Sequence, residues 1–227
     1  MELLMLGLNH KTAPVDVRER FSIPKAAVKS GLANLGEYEG ILEAVVLSTC
    51  NRSEMYAVVD DAERDLATLK QFLFDLTGNE ENIDEYLYHY ADEECIDHLF
   101  RVASSLDSLV LGEGQILSQV KEAYAMGREA GTTSTVLNTL FHRAIATGKR
   151  VRTETRIQFN SVSVSYAAVE LAKEAFGELT EASALIFLTP REIRCWAVSS
   201  AIFPAPKIRA LASVNSPKAS LASSTAA

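Results

Sequence analysis

The sequence predicts an α+β fold, a split βαβ sheet followed by helices, and three observations carry the prediction. Residues 3–90 alternate between short apolar runs and longer helical periods in the order β-α-β-β-α-β. After Asp92 the apolar period becomes wholly helical. Gly112, Gly114, Gly131 and Gly177 then mark the breaks between successive helices.

Taken in order, residues 3–8 read as a strand and 24–35 as a helix that Pro24 opens, because a proline ring presets a helical φ. Residues 42–48 and 55–60 are rich in valine, alanine and leucine and read as two strands joined by a tight link. A helix over 62–76 and a strand over 83–90 complete an antiparallel sheet backed by two helices. Four further helices are expected at 93–105, 116–130, 135–154 and 162–176. There is no internal repeat.

At 227 residues and 48% hydrophobic content the chain has ample material for a packed core, which excludes disorder as a whole. The net charge of −8 is unevenly spread: residues 1–185 hold 17 Lys and Arg against 29 Asp and Glu, and residues 186–227 hold five against one. Cys50, Cys95 and Cys195 form an odd, sparse set without a CxxC pair, which argues for a reducing compartment and against a disulfide framework or zinc ribbon. No run reaches about 18 apolar residues, and MELLMLGLNHK lacks the features of an export signal. A cytoplasmic protein without membrane contact is expected.

Cys50 is the candidate nucleophile. It lies in VVLSTCNRSEMYAVV, on the link between two expected strands, with Arg52 two residues away. Thiolate is the attacking form of cysteine, and a nearby cation with backbone N–H groups favours it. On these residues alone a cysteine hydrolase acting on some ester is one reading, and a buried small hydrophobe is another.

The segments LGLNHKTAPVDVRERF (6–21), VVLSTCNRSEMY (45–56), HLFRVASSLDSLVLGEGQILSQVKEAY (98–124) and KRVRTET (149–155) together resemble glutamyl-tRNA reductases, over about residues 3–185. The resemblance implies that Cys50 attacks the ester joining glutamate to its tRNA, that NADPH reduces the resulting thioester, and that glutamate-1-semialdehyde leaves for an aminomutase in tetrapyrrole (porphyrin) synthesis. It assigns Thr49, Asn51 and Arg52 to the substrate loop, with Arg52 suited to hold the glutamate side-chain carboxylate through two parallel N–H donors. It assigns His98 a catalytic role in proton transfer. Ser108, Glu113, Gly114, Gln115 and Gln119 match the substrate-contact stretch, in which position 114 is often proline in the family. His10 and Lys11, in NHKTAP with its turn at Pro14, are expected to frame the cleft. The basic helix HRAIATGKRVRTETR (142–156), with His142, Arg143, Lys149, Arg150, Arg152 and Arg156, suits tRNA phosphates or is simply a solvated face.

The resemblance divides the chain into a catalytic domain at 1–156, the incomplete start of a Rossmann-like NADPH-binding domain at 157–186, and a divergent tail at 187–227. In the family a strand near residue 185 leads to a G-x-G-x-x-G turn, where glycines let the backbone approach a pyrophosphate. Here no glycine follows Gly177, four of the six prolines lie beyond residue 186, and the end is Ser/Ala-rich. A change of reading frame or a truncation is expected, with a disordered tail, no NADPH motif, and homodimerisation in doubt because the family's dimer region is missing. The reductive half is then lacking. The alternatives are a non-catalytic tRNA-binding or regulatory fragment, or an esterase that stops at the thioester.

Overall fold

The structure, a computed structural model, describes residues 1–79, 81–155, 157, 164–179, 183–188 and 193–198. The chain divides into two units, Met1–Val162 and Ser163–Ala227.

In the first unit the strands are β1 (Glu2–Asn9), β2 (Ile41–Ser48), β3 (Arg52–Val59) and β4 (Tyr88–Ala91), hydrogen-bonded in the order β2-β3-β1-β4 with every neighbour antiparallel. This is the split βαβ order that the sequence predicts. The helices are α1 (Val15–Arg20), α2 (Lys25–Ala33), α3 (Ala62–Thr77), α4 (Asp92–Ala103), α5 (Ile116–Ala130) and α6 (Thr135–Glu154).

The pleat sends alternate residues of each strand to opposite faces, and both faces are buried. Leu4, Leu6, Val46, Met55 and Ala57 meet Val28 and Leu32 of α2 and Leu69, Phe72 and Leu73 of α3. Met5, Val45, Leu47, Tyr56 and Val58 meet Leu99 and Val102 of α4, Val120 and Tyr124 of α5 and Phe141 of α6. The sheet is therefore the middle of three layers, where the sequence analysis expected one helical layer of two helices. Since burying each large aliphatic side chain contributes about 1.5–3 kcal/mol, the two faces together fix the register strongly.

Local chemistry sets the helix ends. The Asp61 carboxylate accepts from the Arg64 N–H at 2.9 Å to cap α3, and Gly78, with φ of 62°, ends it in the left-handed region. The start of α6 is capped from outside its own sequence, because the Glu43 carboxylate on β2 accepts from the N–H groups of Ser134, Val136 and Leu137. Where α6 crosses the end of α4, Gly148 leaves no room for a side chain: a Cβ there would stand 2.4 Å from the Ala103 carbonyl oxygen.

Three expectations change. The strand expected over 83–90 is a 3-10 turn at Asp84–Tyr86 followed by the short β4, since the Ile83 carbonyl accepts from Tyr86 and Leu87 before the chain can extend. The turn expected at Pro14 opens α1, whose Val17 packs with Leu8, Ala13, Phe21 and Ile83 in a small third cluster. In the second unit α7 (Val164–Phe176) precedes β5 (Ser183–Leu188), which pairs antiparallel with β6 (Ile193–Val198). A Rossmann-like start is marked by a parallel neighbour, and among the described residues β5 has none. The rest of the tail, 189–192 and 199–227, lies outside the described residues. Among the described residues no helix is long and apolar enough to cross a membrane.

Candidate active site

Cys50 sits on the three-residue link between β2 and β3 and is exposed. The link is tightly tied. The Thr49 N–H donates to the Arg52 carbonyl at 2.8 Å, and the Thr49 Oγ1 accepts from the N–H groups of Asn51 and Arg52, both at 3.1 Å. From just past the end of β1, the His10 N–H donates to the Asn51 carbonyl at 2.9 Å. Beside the thiol is a small cleft lined by Thr49, Asn51, Arg52, Ser108, Glu113 and Gln119, together with Leu109 and Ile116. The fold thus brings together seven of the ten residues singled out in the sequence, although they lie up to 70 positions apart.

The segment between α4 and α5 reaches this cleft through a closed loop. Ser105, at φ of 62°, accepts from the Gly112 N–H through its carbonyl and donates its hydroxyl to the Glu113 carbonyl at 2.8 Å. A non-glycine residue in the left-handed region costs about 1 kcal/mol or more, and here two hydrogen bonds hold it there. The Ser108 Oγ inside the loop is buried and has no hydrogen-bond partner among the described residues. Gly114 and Gln115 stand outside the cleft: the Gly114 carbonyl accepts from Arg152 of α6, and the Gln115 carbonyl accepts from Ser118 and Gln119 at the start of α5.

The resemblance leads one to expect Arg52 to hold a substrate carboxylate by its fork, but its guanidinium is already paired. Its side chain is 1% exposed, its Nη1 donates to Glu54 Oε1 at 2.6 Å, and its Nη2 donates to the carbonyl and carboxylate of Asp107. Glu54 is fully buried and also accepts from Tyr88, Tyr56 and His98. Burial alone would raise its carboxyl, but the Arg52 guanidinium and the hydrogen bonds from His98 and Tyr88 override that and hold it at about 2. Burial and the neighbouring Glu54 push both tyrosine hydroxyls up. Asp107, which burial would raise, is lowered by its hydrogen bond to Lys11 and by Arg52.

His98 belongs to a different cavity from Cys50. It is 7% exposed, its Nε2 lies 3.1 Å from Glu54 Oε1, and it faces a space of about 620 Å³ bordered by Lys11, Tyr88, Tyr90, Asp97 and Asp107. The Arg52–Asp107 pair stands between the two spaces, since Arg52 borders the cleft at Cys50 and Asp107 borders the cavity at His98. Lys11 frames this cavity, while His10, lowered by burial and by Arg52, keeps its Nδ1 buried and unpartnered.

In the basic helix, the Arg150 guanidinium pairs with Glu154, Arg152 donates to Gly114, and His142 contacts the Tyr124 hydroxyl. Arg143 and Lys149 remain exposed, and Arg156 lies outside the described residues. Arg18, Glu54 and Asp107 were missed as site residues. All three stand within the quoted motifs, but only the fold shows what they hold.

The fold and the cleft define a class first: an α+β domain that presents a solvent-facing thiol on a rigid hairpin above polar side chains. Residues 6–155 match the family described as Glutamyl-tRNAGlu reductase, N-terminal domain. The chain is 49% identical over 188 residues to the glutamyl-tRNA reductase of Desulfatibacillum aliphaticivorans, covering 82% of this chain and 43% of that protein. It is 50% identical over 194 residues to that of Thermodesulfovibrio yellowstonii, covering 82% and 45%. The solved glutamyl-tRNA reductase from Methanopyrus kandleri is similar with a TM-score of 0.61 and 34% identity, over 82% of this chain and 43% of that one. This chain belongs to the glutamyl-tRNA reductase N-terminal domain family. It spans less than half the length of these relatives.

Proposed function

We propose that the chain carries out the acyl-transfer half of glutamyl-tRNA reduction, at the entry to tetrapyrrole synthesis. The observation that carries this reading is the exposed Cys50 thiol, held on a hairpin beside a cleft that holds the unpartnered Ser108 hydroxyl. Cys50 loses its proton to solvent, and the thiolate attacks the carbonyl carbon of the glutamyl ester. A C–S bond forms, the ester C–O bond breaks, and the 3′-oxygen of the tRNA takes up a proton. Ser108 and the Gln119 amide are the neutral donors in the cleft, suited to the developing oxyanion or to the substrate carboxylate. The Glu113 carboxylate suits the substrate's ammonium group. Arg52 then positions the hairpin rather than gripping the substrate, and His98 acts on it through Glu54 and Arg52.

NADPH, which the family implies, does not fit the residues present. Its pyrophosphate needs a glycine-rich turn between a strand and a helix, whereas no glycine follows Gly177 and β5 leads to an antiparallel partner. No reductive step is assigned to this chain, and water becomes the acceptor of the acyl group. Water attacks the thioester carbon, the C–S bond breaks, and free glutamate leaves as the thiol regains its proton.

Mass spectrometry of the chain mixed with glutamyl-tRNA should show a glutamyl adduct on Cys50. Glutamate should appear slowly without NADPH consumption, and Cys50→Ala should abolish both adduct and release. Stoichiometric NADPH oxidation would overturn the reading in one direction. Absence of adduct and of glutamate would overturn it in the other and leave a non-catalytic tRNA-binding fragment.

A further inference from the structure

Among the described residues, the side chain that holds the nucleophile's link from outside the hairpin is Arg18. Its Nη1 donates to the Cys50 carbonyl at 2.8 Å and to the Asn51 Oδ1 at 3.1 Å, while its Nε donates to the Ala13 carbonyl at 3.3 Å. All three acceptors are neutral. Arg52, the arginine next to the link, is consumed by Glu54 and Asp107.

We infer that Arg18 is a positioning residue for the acyl transfer proposed above, fixing the Cys50 peptide plane and the Asn51 side chain so that the thiol addresses the cleft. The support runs from the sequence upward. Helix α1 is only six residues long and has no side-chain cap, so it stands by packing: Val17 is 3% exposed and the adjoining Phe21 and Ala13 are buried beside Leu8. That anchored turn sets the base of Arg18, and the Ala13 carbonyl sets the plane of its guanidinium. A planar guanidinium tied at Nε narrows where Nη1 can reach, and it reaches the carbonyl of the nucleophile and the Asn51 side chain. Thr49 and the His10 N–H hold the rest of the link, so Arg18 supplies the contact at Cys50 itself.

Arg18 borders neither the cleft at Cys50 nor the cavity at His98. Its loss should therefore misplace the thiol more than it weakens substrate binding, because small displacements of a reacting atom cost rate steeply. The test uses the full chain with Arg18→Ala, Arg18→Lys and Asn51→Ala. Amide exchange at Cys50, Asn51 and Arg52 should rise at least tenfold in Arg18→Ala, with β1 and the body of β3 unchanged. The maximal rate of Cys50 acylation by glutamyl-tRNA should fall 10- to 100-fold with KM within threefold, and Arg18→Lys should recover only part of it. Adding Asn51→Ala to Arg18→Ala should cost less than the product of the two single losses.

Unchanged exchange at the link would overturn the inference whatever the chemistry does, because that readout needs no substrate. Raised exchange with full acylation, or a loss confined to KM, would overturn it too. Failure of the unaltered chain to acylate would sink the proposed function and leave the exchange comparison to judge the contact.

Discussion

Replacing Glu54 by Gln tests the buried charge network beneath the thiol. Glutamine has the same shape and keeps one acceptor oxygen, so the Tyr56 hydroxyl, 2.7 Å from Oε2, can turn and accept from the new amide. What disappears is the negative charge 2.6 Å from a guanidinium that is 1% exposed. Removing one partner of such a pair costs about 3–5 kcal/mol, and Asp107 remains to compensate part of it. An independent route gives a similar size: the fall of the Glu54 carboxyl from 4.5 to about 2, at about 1.4 kcal/mol per pH unit, is about 3 kcal/mol. The sign follows from the depressed value. This stabilisation is complete above about pH 5, is lost as pH falls through 4.5 toward 2, and stands at about half by pH 3. Urea unfolding of both proteins should therefore show a gap of about 3 kcal/mol at pH 7 that narrows to about half at pH 3. The melting temperature at pH 7 should drop by about 6–12 °C. A gap below about 1 kcal/mol at pH 7, or one that stays constant down to pH 3, would refute the assignment of a charged Glu54 to Arg52.

Two other outcomes follow from the same geometry. Iodoacetamide at pH 7 should label Cys50 and leave Cys95 untouched in the folded chain, since Cys95 is 0% exposed and burial, with Glu54 and Asp92 nearby, pushes its thiol up to about 12; peptide mapping reads this directly, and equal labelling would contradict it. Gly148→Ala should destabilise the first unit by about 1–3 kcal/mol in urea unfolding, because its Cβ meets the Ala103 backbone at 2.4 Å and backbone cannot step aside as a flexible side chain would. A neutral result there would mean that α4 and α6 are free to separate.

The sheet was legible because its signals are local. The apolar runs that became β1, β2 and β3 and the glycine after α5 announce themselves within a few residues. Helix α1 did not, because six residues are too few to show a period and Pro14 reads equally as a turn or a first helical turn. The three-layer arrangement was also hidden, since a helix that packs on the second face has the same apolar stripe as one that packs on the first. At the site, the gathering of Thr49, Cys50, Asn51, Ser108, Glu113 and Gln119 followed from motifs. The fate of Arg52 did not: one of its two carboxylate partners, Asp107, lies 55 residues away, and nothing in the local sequence says that the guanidinium is already taken.

That reassignment changes what the site is built to do. An arginine that gripped the substrate would stay exposed and would leave its charge unpaired until binding. Arg52 is instead sealed with Glu54, Asp107, Tyr56, Tyr88 and His98 into a network that desolvates several charges at once, which replacement by apolar side chains of similar volume would often match or better in stability. What an apolar core lacks is direction. Each hydrogen bond in the network fixes an orientation, and the chain of contacts runs from His98 through Glu54 to Arg52, whose own N–H and carbonyl close the link that carries Cys50. Arg18 holds the same link through the Cys50 carbonyl. The thiol is thereby carried on a tied backbone, and under the proposed acyl transfer the neutral donors and single carboxylate of the cleft would meet the acyl group while the charges that would be costly to rearrange stay paired in the buried network.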